Sequence, residues 1–63
     1  MGYFLAINNK QLGVCLRMLY ANGYQGSVET VMNSKHRIEF HIRIAVSNER
    51  FQELDAVYRT LIS

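Results

Sequence analysis

A single thiol, two imidazoles and a short cationic row are the groups in this sequence with chemistry to offer. Cys15 is the only cysteine in 63 residues, so no disulfide can form within the chain. As a nucleophile it would need an adjacent base and a partly exposed, electropositive setting. As a metal ligand it would need two or three further donors converging on one point. His36 and His41 stand at spacings from Cys15 that match no metal motif. Glu39 and His41 lie two apart, on one face of any strand, but no third group is in sequence reach to orient them as an acid–base pair. No glycine-rich phosphate loop is present. These residues predict no catalytic site, no metal and no cofactor.

The cationic row is Lys35, Arg37, His41 and Arg43, with His36 inside it. It makes a small RNA- or DNA-binding protein, including a basic RNase-toxin variant, the alternative function. Phe4, expected beside His41 on an open sheet face, would supply a base-stacking surface. Two features oppose this. Glu39 interrupts the row, and seven Lys/Arg against five Asp/Glu leave a net charge of only +2, a weak electrostatic footprint.

Any such groups must be positioned by the elements around them. Apolar residues are 49% of the sequence, enough for a globular chain, and the length suits one α+β domain spanning 1–63. Tyr3-Phe4-Leu5-Ala6-Ile7 is a short continuous apolar run, predicting a strand over 2–7 stopped by Asn8 and Asn9. Asn8 can cap a helix over 10–22, with Gln11 three residues on as in a capping box. Leu12, Cys15, Leu16 and Leu19 share one face of that helix. Gly23 is placed to end it in a left-handed conformation, and Gly26 opens the next turn. Gly13 lies either in a frayed first turn or at a close approach to another element.

A strand over 27–33 follows, with Val28, Thr30 and Met32 alternating against Glu29 and Val31. Asn33-Ser34-Lys35-His36 is a polar turn. The strand over 37–46 is the most regular. Ile38, Phe40, Ile42, Ile44 and Val46 take one face, and Arg37, Glu39, His41, Arg43 and Ala45 the other. A closing helix over 48–62 carries an apolar stripe from Phe51 to Ile62, caps on Ser47 or Asn48, and can pair Asp55 with Arg59.

A helix between the first two strands implies that they run parallel, and a short turn between the second and third implies a hairpin. The predicted sheet order is first–third–second with both helices on one face: the ferredoxin-like split βαβ arrangement without its last strand.

That arrangement leaves the first strand at an edge, without charge, proline or bulge to protect it. Tyr3 to Ile7 is therefore predicted to pair with a partner strand or a second copy. Val14, Met18 and Ala21, flanked by Arg17, cluster opposite the core stripe on a helical wheel and predict a second contact surface. A chain this short buries little, has no internal disulfide and no metal motif, so a protein partner or homodimer is the expected supplement to its stability. The lone thiol fits a reducing, cytoplasmic setting. No run approaches the length of a membrane-spanning helix, and no secretory leader is evident. The expected function is a non-catalytic interaction module, self-associating or docking on a larger protein as inhibitor or modulator. Small domains carried by mobile elements often act in this way.

Overall fold

The computed structural model describes residues 2–63. The elements run β1 (Phe4–Ala6), α1 (Asn9–Ala21), β2 (Ser27–Met32), β3 (Ile38–Arg43) and α2 (Asn48–Ile62). The sheet has the order β1-β3-β2, with β3 antiparallel to both neighbours. β1 and β2 are therefore parallel to each other across β3. The α+β class, the element order and the strand order are those expected from the sequence.

Local chemistry fixes the helix ends. Asn8 caps α1, its Oδ1 accepting from the Gln11 N–H at 2.8 Å. Gln11 does not return to the Asn8 N–H as a capping box would. Its Oε1 accepts from the N–H of Ile7, one residue earlier, at 3.1 Å. At the far end Gly23 takes φ +85°. The Tyr24 N–H then reaches the Leu19 carbonyl and the Gly23 N–H the Tyr20 carbonyl, which satisfies two carbonyls that the helix leaves open. Ser47 caps α2 by accepting from the Arg50 N–H. Asp55 and Arg59 pair along α2 at 2.8 Å, as their spacing predicts.

One apolar cluster joins the layers. Phe4, Ala6, Ile42 and Ile44 from the sheet side meet Cys15, Met18 and Leu19 of α1 and Leu54 and Tyr58 of α2. Both helices thus cover one face of the sheet. Gly26 sits tight against this cluster, since a Cβ there would come within 2.5 Å of Ile42 Cγ2. The cover is uneven. The helices pack on each other and α1 packs on β1, but neither makes more than marginal contact with β2.

The hairpin turn is held by Asn33. Its Oδ1 accepts from the Lys35 and Arg37 N–H groups, its carbonyl from the His36 N–H, and its own N–H donates to the Arg37 carbonyl. His36 occupies the left-handed position of this turn at φ +59°, where a side chain costs about 1–2 kcal/mol. Gly13 lies within α1, and a Cβ there would meet only the mobile tip of Arg17, so no close approach to another element requires it.

Two substitutions should therefore stabilise the domain. Gly13→Ala should add about 0.5–1 kcal/mol through helix propensity, and His36→Gly about 1 kcal/mol by relieving the left-handed strain. Urea unfolding of each variant checks this, and a loss of stability in either contradicts the local assignment.

Candidate functional site

The structure keeps the chemically equipped residues apart. Cys15 is fully buried in the core cluster. Burial, with a smaller contribution from the nearby charge of Asp55, pushes its thiol up to about 11, the reverse of a nucleophile's setting. His36 is in the hairpin turn. His41 is on the open sheet face, its Nε2 3.1 Å from Glu39 Oε1. Among the described residues, no three of His, Cys, Asp and Glu are grouped to hold a metal.

The cationic residues are spread along the hairpin. Lys35 and Arg37 are exposed in and beside the turn, and Arg43 is exposed at the far end of β3. Between them Glu39 sets a carboxylate 3.1 Å from His41 within the row. Phe4 does not join them. It pairs with Ile42, points to the helix side and is 0% exposed. The aromatic beside His41 is Tyr3, stacked with ring centroids 4.0 Å apart, and the Arg43 guanidinium lies 5.9 Å from the same ring. The apolar run at the N-terminal strand has no alternation, so only its register against β3 decides which side chains turn inward.

The second helix surface is also corrected. Met18 is 6% exposed and belongs to the core, and Val14 is half-buried against it. Val14 borders a hollow shared with Leu61 and Ile62 of α2. Of the four residues assigned to a contact face on α1, only Arg17 and Ala21 are exposed. The reason is that α1 packs on both the sheet and α2, which buries a wider arc than a single stripe.

The sheet edges are where unmet bonding capacity can lie, and the ladder tells which main-chain groups are involved. Residues of an antiparallel strand alternate between bonding one neighbour and facing away from it. Asn33 bonds Arg37 across the hairpin, and the register is unbroken from there to Ser27 opposite Arg43. Val31, Glu29 and Ser27 therefore bond β3, while Val28, Thr30 and Met32 turn their N–H and C=O groups outward. On β3 the remaining residues, Ile38, Phe40 and Ile42, face the β1 side, where Phe40 and Ile42 bond Ala6 and Phe4 at their register positions and Ile38 lies beyond the end of β1. Leu5 and Ile7 then face outward on the other edge.

The two edges differ. On β1 the Leu5 carbonyl accepts from the Tyr58 hydroxyl at 2.8 Å and the Ile7 N–H donates to Gln11. A strand laid beside β1 would have to enter the hollow of about 270 Å³ between Leu5, Ile7 and the side chains of Tyr58, Arg59 and Ile62, and displace these bonds. The edge at Tyr3 to Ile7 is real, but it is three residues long and partly closed by the chain itself. On β2, among the described residues, no side chain bonds the main chain of Val28, Thr30 or Met32. That edge is six residues long without a bulge, and Glu29 is its one charge. Beside it, Val28, Met32 and Ile38 project on the helix side yet remain 44%, 63% and 55% exposed, because neither helix extends over them. Sequence reasoning overlooked this edge: the signal was present in the alternation of Val28, Thr30 and Met32, but not the absence of a covering helix.

No family model matches the chain, and no curated protein or solved structure matches it either. Among the described residues, no helix is long and apolar enough to cross a membrane.

Two outcomes follow from the buried titratable groups. Tyr58 is also pushed up, to about 12, by burial first and then by the neighbouring Cys15 and Asp55. Both folded-state values exceed the unfolded ones, so both groups favour folding fully below about pH 9, and that contribution is lost as pH rises toward the folded values. Chemical denaturation at stepped pH should show stability falling from about pH 9 upward, and a flat profile to pH 11 contradicts the burial of both groups. Tyr58→Phe should cost about 1 kcal/mol by orphaning the Leu5 carbonyl, read from the same curves.

Proposed function

We propose that this chain is a non-catalytic protein-interaction module that works by occupying another polypeptide's surface, as a homodimer or as an inhibitor or modulator of a larger protein. The observation that carries this reading is the bare β2 edge with its adjoining apolar face of Val28, Met32 and Ile38. An uncapped edge supplies main-chain hydrogen bonds to an added strand, and alternate side chains beside it supply selectivity. The buried, poorly ionised Cys15 and the separation of the two histidines give no support to a catalytic role. A reducing, cytoplasmic setting suits a core that contains a free thiol.

A second reading, a small nucleic-acid-binding protein, draws support from the exposed Tyr3 and Arg43 on the open sheet face, with Lys35 and Arg37 beyond them and His41 between. It is the weaker of the two, because Glu39 and Glu29 lie on that same face and Tyr3 already spends one ring surface on His41.

Affinity capture from the native cells tests the first reading. Tagged wild type should retain a stoichiometric polypeptide that is lost in the Met32→Lys/Ile38→Lys double variant and kept in Lys35→Ala/Arg37→Ala. Retention insensitive to the first pair, or abolished by nuclease, contradicts it. A gel shift at low salt that weakens steeply as salt rises would favour nucleic acid instead.

A further inference from the structure

We infer that the strand received by the β2 edge is β2 of a second copy, antiparallel, with Thr30 on the two-fold axis. This deepens the interaction-module reading and rests on it.

The case begins with which groups are free. Val28, Thr30 and Met32 are the residues of β2 whose main-chain groups face away from β3, as the hairpin register dictates. An isologous antiparallel pair can be centred on any residue of the strand, and the three central positions, Glu29, Thr30 and Val31, leave the most overlap. Centring on Thr30 sets Thr30 opposite Thr30 and Val28 opposite Met32 of the second copy. All three outward-facing residues of each strand then exchange both their N–H and C=O bonds. Centring on Glu29 leaves Met32 without a partner in the strand and sets two carboxylates directly opposite, which is destabilising. Centring on Val31 leaves Val28 without a partner.

Side chains favour the same register. On the helix side, the two Thr30 side chains meet each other, a favourable cross-strand pair, and Val28 meets Met32 of the second copy, which buries apolar surface exposed in the single chain. On the open side Glu29 meets Val31, so no like charges are directly opposed. Of the devices by which an edge is ordinarily guarded, the strand has no proline and no bulge, and its single charge, Glu29, lies on the open face, where this register sets it opposite Val31. The match is a property of the strand with itself, which is what an isologous contact requires. The product is a continuous sheet of six strands with β2 of each copy at its centre and both guarded β1 edges outermost. A single strand pair is a small interface, so the dimer should dissociate on dilution.

The outward N–H of Thr30 makes possible a variant that removes the contact without disturbing the monomer. Thr30→Pro deletes a donor that bonds nothing within the chain, at an edge position where proline is tolerated. Leu5→Pro is the matching change on the β1 edge. Sedimentation equilibrium over a concentration series should show wild type passing from monomer to dimer. Thr30→Pro should weaken association at least about tenfold, since two symmetric hydrogen bonds are lost, with its circular dichroism unchanged. Should Thr30→Pro fail to fold, wild type alone decides the matter through isotope-filtered nuclear Overhauser contacts in a mixed labelled and unlabelled sample. Interchain contacts between Val28 and Met32 support the register, and their absence in a dimer overturns it. A dimer lost in Leu5→Pro but kept in Thr30→Pro places the contact on β1. That overturns this inference and leaves the interaction-module reading intact. A wild-type monomer at near-millimolar concentration also overturns it, and the interaction-module reading is then decided separately by the capture experiment with a different polypeptide.

Discussion

Each residue of β3 offers its N–H and C=O to one side only, and β3 has a neighbour on both sides. Glu39, His41 and Arg43 are committed to β2, and Phe40 and Ile42 to β1. This division, set at the turn where Asn33 bonds Arg37, propagates outward. It fixes Leu5 and Ile7 as the outward-facing residues of one edge and Val28, Thr30 and Met32 as those of the other. The chain then treats the edges unequally. Tyr58 from α2 bonds Leu5 of β1 and Gln11 from α1 bonds Ile7 just beyond it, whereas among the described residues no side chain bonds the outward main chain of β2. β2 remains an edge whatever lies beside β1.

The unequal treatment follows from how the helices are used. Both pack over the half of the sheet that contains β1, where Phe4 and Ala6 are sealed against Leu19, Leu54 and Tyr58. Covering β2 as well would demand a longer helix or a third one. The hairpin instead extends beyond the core with an amphipathic strand that no layer covers. Its order comes from the ladder and from Asn33, which accepts from the N–H groups of Lys35, His36 and Arg37 and donates its own N–H to the Arg37 carbonyl. His36 accepts a strained conformation to close that turn, so local strain is stored in the hairpin and not in the core.

Much of this was legible in the sequence, for identifiable reasons. Strict alternation from Arg37 to Val46 set the faces of β3, and Leu12, Cys15 and Leu19 set the core side of α1. Asn8, Gly23 and Ser47 marked the helix ends by the groups they satisfy. The errors have equally definite causes. Tyr3 to Ile7 is uniformly apolar, so its phase was undetermined, and Tyr3 rather than Phe4 came to lie against His41. A helical wheel treats one stripe as the core, but α1 touches two partners, which drew Met18 inside. Edge strands can be recognised from composition. Whether an edge is guarded depends on residues far away in sequence, here Tyr58 against Leu5, and no local pattern carries that information.

The alternation of outward- and inward-facing amides along β2 is the point on which the account stands. Residue-resolved hydrogen exchange in dilute protein reads it directly. The amides of Glu29 and Val31 should exchange slowly, while those of Val28, Thr30 and Met32 exchange nearly as fast as in an unstructured chain. Uniform protection along β2, or the opposite alternation, would contradict it.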